Sequence, residues 1–240
     1  MKKFEDMYGL GVRQFGVFVD DVGVPTDAAT LKLNADRVTD IQNRIDAKWN
    51  VVGALPADTV KPLFFVPQLY VLSWSSVEGC RDFFGALSAV PSKVKIFFTG
   101  NGVWSVPNST DLSTAKSYLG RNLAWWWNYP CNDNDATKLF PMDTYSNFAD
   151  EKNIDGNARM EQNLQGTETI LSNPMQQGEV SKIALFSIAN YAWNNSRFNN
   201  QSSWEASFEA VCGREFAPCL RKLAPYLRYY DGSELATLIS

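Results

Sequence analysis

Apolar residues along this chain gather in five short clusters, and between the clusters they recur every three or four positions instead. The clusters cover residues 14–20, 62–70, 94–99, 121–128 and, more weakly, 167–173. They are rich in aromatic and β-branched side chains and read as strands. From Ala28 to Trp49, the residues Leu31, Leu33, Val38, Ile41, Ile45 and Trp49 form the apolar stripe of an amphipathic helix. Residues 76–87 and 111–119 repeat that pattern, each opening on a Ser or Asp suited to capping. A strongly apolar helix is expected over 178–193. Two or three more follow in the last forty residues, carrying Trp204, Phe208 and Val211, then Leu220, Leu223 and Leu227, then Leu235 and Leu238. Strands alternating with helices predict βα units and a parallel sheet, an α/β fold. The segment from Cys131 to about Gly166 breaks the pattern: it is polar, rich in Asn and Asp, and a connection of that length is usually functional or carries elements of its own.

With 45% hydrophobic and 13% aromatic residues in 240, the chain can build a substantial core. Its net charge of −4, without a dense Lys/Arg cluster, points away from a nucleic-acid partner. No apolar run reaches the roughly 18 residues of a spanning helix, so no membrane partner is expected. The amino terminus, Met-Lys-Lys-Phe-Glu-Asp-Met-Tyr, leads into no apolar stretch that would read as a secretory signal. Cys80, Cys131, Cys212 and Cys219 show neither a metal spacing nor a disulfide framework and are expected to be free, buried thiols. Asn108-Ser-Thr, Asn194-Asn-Ser and Asn200-Gln-Ser fit the glycosylation pattern, a triplet that also arises often by chance.

Among 240 residues there is no histidine. Ser-His-Asp and Cys-His hydrolysis, His-ligated zinc and histidine proton shuttling are therefore excluded for these residues. Carboxylates remain as the natural acid/base groups. Asp20 and Asp21 stand at the end of the first apolar cluster, where a barrel or open α/β sheet keeps its chemistry. Alone, the pair equally describes a solvated loop start before a Gly/Pro turn. A second feature is Leu123-Ala-Trp-Trp-Trp-Asn-Tyr. Period-two alternation puts Trp126 and Asn128 on one face of that strand and Trp125 and Trp127 on the other. An aromatic ring followed by an amide at a strand mouth suits a sugar, whose apolar face stacks on rings while its hydroxyls bond to amides. Three tryptophans packed as core is the plainer account of the same residues.

Five stretches together carry a resemblance. They are Gly11-Val-Arg-Gln-Phe-Gly-Val-Phe-Val-Asp-Asp21, Val66-Pro-Gln-Leu-Tyr70, Lys95-Ile-Phe-Phe-Thr-Gly100, Trp126-Trp-Asn-Tyr-Pro-Cys-Asn-Asp133, and Leu171-Ser-Asn-Pro-Met175 with the helix to Trp193. In this order and spacing they resemble the catalytic domain of glycoside hydrolase family 84, the β-N-acetylglucosaminidases that include bacterial enzymes named hyaluronidases and the O-GlcNAc hydrolases. The resemblance implies a partial (β/α)8 TIM barrel of about five C-terminal units over residues 1–195, with a helical domain beginning over 196–240. It also implies removal of terminal β-linked N-acetylglucosamine without a protein nucleophile, the substrate's own acetamido oxygen forming an oxazoline. By position, Asp20 would hold the amide N–H and Asp21 would serve as general acid and then base. Tyr70 would bond the acetamido group and Trp126 would wall its methyl, while Asn128, Asp133 and Asn173 would hold the sugar. No metal or organic cofactor is implied. The implied partner is an N-acetylglucosamine-containing glycan or glycoprotein.

The match starts at about Phe4, just before the family's fourth strand, and the glycine-containing segment and sugar-binding lysine of the earlier strands have no counterpart; Lys2 and Lys3 stand in a non-matching position. The chain is therefore expected to be a piece of a larger protein, or to pair with a chain or segment supplying the missing barrel strands, or to fold poorly alone. The competing reading is a truncated, non-catalytic glycan-binding or structural remnant. Resemblance to bacterial secreted enzymes points to export of a parent protein, though nothing in these residues directs it.

Overall fold

The computed structural model describes residues 1–132, 160–167 and 169–228, with the side chains of 200, 201 and 224–228 excepted. Asp133, most of the long polar connection and the segment around Leu235 and Leu238 lie outside the described residues. All five expected strands form: β1 (Gly16–Phe18), β2 (Phe64–Val66), β3 (Lys95–Phe98), β4 (Ala124–Trp127) and β5 (Ile170–Ser172). They make one parallel sheet in the order β1-β2-β3-β4-β5, the half-barrel of a partial TIM barrel. Parallel neighbours need long crossovers, and α2 (Ala28–Trp49), α3 (Val77–Leu87) and α4 (Ser109–Leu119) supply those between β1, β2, β3 and β4. Each strand is shorter than its apolar cluster. Ladder bonds nevertheless continue past the ends, with Lys61 N–H donating to Arg13 C=O at 2.8 Å and Val19 N–H to Val66 C=O at 2.9 Å.

The chain divides into two compact units. The first comprises Met1–Gly102, Thr110–Trp125 and Gly166–Thr169. Its core holds Ile45, Leu63, Phe65, Phe84, Phe97, Phe98, Leu112 and Trp125, all nearly inaccessible to water. Each such side chain contributes about 1.5–3 kcal/mol by burial. Helix α2 starts at an Asp27 cap, whose Oδ1 accepts the Thr30 N–H at 2.8 Å, and α3 starts at Ser76, whose Oγ accepts the Gly79 N–H at 3.1 Å. The apolar stripe expected on α2 needs correction: Ile41 is only half-buried and Ala35 joins the buried face. Leu33 is exposed, and Gln42 is fully buried in the stripe instead. Gln42 Oε1 accepts the Leu63 N–H at 2.8 Å, satisfying a backbone group just ahead of β2. An unexpected helix, α1 (Lys2–Gly9), precedes the sheet. It stacks Phe4 on Phe15 at 4.5 Å and Tyr8 on Trp49 at 5.0 Å.

The second unit comprises Val103–Ser109, Trp126–Gln165 and Ile170–Ser240. Helices α5 (Gly178–Trp193) and α6 (Asn200–Arg228) pack through Ile183, Phe208 and Ala217, flanked by Trp204, Val211, Cys212 and Leu220. A break at Gly213, with φ +77°, makes α6 two helices in succession. The cysteines are all free, but only Cys80 and Cys131 are buried; Cys212 is half-buried and Cys219 exposed. The expectation of four buried thiols fails there because Cys212 lies only at the edge of the α5–α6 core and Cys219 faces water. Among the described residues no helix is long and apolar enough to cross a membrane.

Candidate active site

In a parallel α/β sheet the loops past the carboxyl ends of the strands carry the chemistry, because the chain turns there and side chains are released from the ladder. Asp20 and Asp21 follow β1, Tyr70 follows β2, Asn128 follows β4 and Asn173 follows β5. The first three belong to one unit and the last two, with Trp126, to the other.

In the first unit, Asp20 is half-buried and Asp21 exposed. An extended strand would send consecutive side chains to opposite faces. Asp21 instead takes φ +60°, a left-handed conformation that Asp tolerates better than most residues, at a cost of about 1 kcal/mol or more. The alternation is broken and both carboxylates act on one partner. Tyr70 lies within electrostatic reach of both aspartates, and its pKa is pushed up to about 12. Burial is the largest cause, followed by the charges of Asp21 and Asp20. Tyr70 is thus a neutral donor beside an acid pair. Its backbone is pinned by Thr99 N–H donating to Tyr70 C=O at 2.7 Å. The following 3₁₀ turn, Leu72–Trp74, is held by Leu72 N–H donating to Gly100 C=O at 3.0 Å. That turn sets Trp74 edge-on against the Tyr70 ring, at 4.9 Å, with about half of the indole in water. Sequence reasoning missed Trp74; its only signal was an aromatic residue in the turn after a strand-end tyrosine.

In the second unit, Asn128 is the hub. Its Oδ1 accepts the Trp126 indole N–H at 2.7 Å and the Asn173 Nδ2–H at 3.1 Å, and its Nδ2 donates to Val103 C=O at 2.8 Å. The indole is donor-only and the carbonyl acceptor-only, so the amide has one consistent orientation. Trp126 is half-buried while Trp127 is almost fully buried and stacks on Tyr129 at 5.4 Å. Trp125, in the first unit, is fully buried against Phe98 at 4.9 Å. Core packing therefore accounts for two of the three tryptophans, and Trp126 is the one left with an accessible face. Asn173 is fixed at both ends of its peptide unit: its N–H donates to Trp127 C=O at 2.8 Å, and its C=O accepts the Cys131 N–H at 3.0 Å. Among the described residues no three metal-ligating side chains come together.

The five parallel strands form the half-barrel of a partial TIM barrel. A family model described as beta-N-acetylglucosaminidase matches residues 1–225, and the chain belongs to that family. Solved structures share the fold. CpGH84D aligns with a TM-score of 0.75 and 24% identity over 95% of this chain and 34% of its own. CpGH84B gives 0.70 and 23%, over 93% of this chain and 36% of its own. A mutant of the Thermobaculum terrenum O-GlcNAc hydrolase gives 0.69 and 20%, over 92% and 45%. The chain spans about a third to under half the length of these relatives.

Proposed function

We propose that these residues form the active site of a glycoside hydrolase that removes terminal β-linked N-acetylglucosamine by substrate-assisted, retaining catalysis. In this reading the acetamido carbonyl oxygen attacks the anomeric carbon as the bond to the leaving oxygen breaks, giving an oxazoline. Asp21 delivers its proton to the departing oxygen. Water then adds to the anomeric carbon, passes a proton to Asp21 and reopens the oxazoline to the acetamide. Asp20 accepts the acetamido N–H and offsets the positive charge of the ring-closed intermediate, and Tyr70 donates its hydroxyl to the acetamido oxygen. Trp126 lines the acetyl methyl, held by Asn128, with Asn173 and Asp133 on the sugar hydroxyls; Asp133 is assigned on resemblance alone. Residues 1–195 serve as the barrel part and 196–240 open a helical domain.

The observation carrying this reading is the hydroxyl of buried Tyr70 held neutral beside the charges of both aspartates, its pKa pushed up to about 12. Substrate assistance needs a neutral donor, a charge-holding carboxylate and a proton-exchanging carboxylate side by side. The test is release of nitrophenol from 4-nitrophenyl β-N-acetylglucosaminide by the chain. Turnover that vanishes in Asp21→Asn supports the enzyme. Saturable sugar binding without turnover at any pH supports the second reading, a non-catalytic glycan-binding domain. A reacting group displaced by about 1 Å already costs about a hundredfold in rate.

A further inference from the structure

We propose that the groove where α5 gives way to α6 is a docking site for an acidic sugar, separate from the acid pair and independent of the hydrolase reading. The groove encloses about 410 Å³ and is lined by Asn190, Trp193, Asn194, Arg197, Asn199 and Ser203, among others. Trp193 stands 90% exposed at the end of a helix that otherwise buries Ile183, Ile188 and Tyr191. An indole so placed contributes nothing to the core, and its flat apolar face in water is the surface that stacks on a pyranose ring.

The polar groups around it are held and only half used. Asn190 Nδ2 donates to Ser203 Oγ at 3.0 Å, and Ser203 Oγ donates to Ser187 Oγ at 3.1 Å. Asn194 Oδ1 accepts from Ser196 Oγ at 2.8 Å, and Asn199 Oδ1 from the Ser202 N–H at 2.8 Å. Each amide is thus oriented by one atom, leaving Asn190 Oδ1, Asn194 Nδ2 and Asn199 Nδ2 as an acceptor and two donors for hydroxyls. The floor is rigid: buried Phe198 packs edge-on against Tyr191 at 5.2 Å, and its C=O accepts Gln162 Nε2–H at 2.8 Å. Preorganised groups lose little freedom on binding.

Arg197 decides the sign of the ligand. On α6, Arg221 pairs with Glu205 at 2.7 Å and Arg214 pairs with Glu209. Arg197 has no carboxylate partner among the described residues, and no acid lines the groove. A guanidinium beside an aromatic plate and free amides fits a sugar that bears a carboxylate, which it can grip bidentately. One cation on a chain of net charge −4 is too little for a nucleic acid, and one exposed ring among polar groups is too little for an apolar peptide.

The test is isothermal titration calorimetry of the whole chain with oligosaccharides ending in glucuronate, galacturonate or sialate, chosen without a terminal N-acetylglucosamine. At least one should bind saturably, about tenfold more weakly in Trp193→Ala, the loss of one stacking contact. Arg197→Gln should weaken that sugar while leaving a neutral counterpart of the same oligosaccharide unchanged, and Asp20→Ala should leave binding intact. Both groove side chains are exposed, so these variants keep the fold. The proposal is overturned if no acidic sugar binds, or if binding survives both groove substitutions. It is equally overturned if sedimentation shows a dimer that Trp193→Ala dissolves while no sugar binds, which would assign the face to a second copy of the chain.

Discussion

Asn128 Oδ1, just past β4, takes the indole N–H of Trp126 at 2.7 Å, two residues back in the strand. With Asn173 on the same oxygen and Val103 C=O on its nitrogen, one amide orients an aromatic wall, a second amide and a loop backbone. Asn128→Leu strands an indole N–H, an amide and a carbonyl together. Urea unfolding should show a loss of about 2–3 kcal/mol, against about 1 kcal/mol for Trp126→Phe, which removes a single bond. A double-mutant cycle between them should show a coupling of about 0.5 kcal/mol or more; additive losses would mean the bond carries no energy.

Tyr70 should lose its proton near pH 12, against 10.0 for an ordinary tyrosine. A folded-state pKa raised in this way gives a stabilisation fully present below the unfolded value and lost as the pH climbs through the folded one. The stability difference between the native chain and Tyr70→Phe should therefore hold up to about pH 10 and shrink toward pH 12. A difference titration of near-ultraviolet absorbance between the two proteins isolates the one tyrosinate, and a midpoint at 10 would rule out the burial of Tyr70 beside the charged acid pair.

Gln42 holds the Leu63 N–H at 2.8 Å from inside the core and donates to Asp46 Oδ1 at 3.1 Å. Gln42→Leu, although more apolar, should destabilise by about 1–3 kcal/mol in urea because a buried amide proton loses its acceptor. Gln42→Glu should cost more at neutral pH, where the new carboxylate faces Asp46 one turn away. A neutral or stabilising Gln42→Leu would show that water replaces the glutamine.

If Asp21 exchanges the proton, its loss should matter least when the leaving group needs no proton. Asp21→Asn should lower kcat/KM, which reports the bond-breaking first step and not the base-assisted second, by about 10²–10⁴-fold on a methylumbelliferyl glycoside. A dinitrophenyl glycoside, with its far more acidic phenol, should be affected much less. Asp20→Asn should depress both alike, since the intermediate's charge is independent of the aglycone. Equal losses on both substrates for Asp21→Asn would remove the general-acid assignment.

The alternation of periods in the sequence made all five strands and the four central helices legible, because burial on one face imposes that periodicity on the residues. What escaped were choices that periodicity does not encode. Gln42 occupies an apolar position because a backbone amide needs an acceptor there, and Leu33 drops out because the stripe winds past it. Helix α1 buries no residue of its own and is held by ring stacking of Phe4 and Tyr8 on residues distant in sequence. At the candidate site the residue types and their strand-end positions could be read, and the split of the tryptophan run into two core rings and one accessible ring followed from the pleat. The hub role of Asn128 could not be read, since Val103 C=O is a backbone group with no sequence signature. Trp74 and the sugar groove around Trp193 likewise depend on turns and helix junctions whose geometry no spacing announces.

The positive φ of Asp21 restricts who can occupy that place at all. Aspartate, asparagine and glycine sit there at modest expense, whereas alanine or any branched residue distorts the turn that aims both neighbours. An alanine scan would therefore confound a missing proton donor with a bent main chain, and asparagine is the substitution whose phenotype can be interpreted.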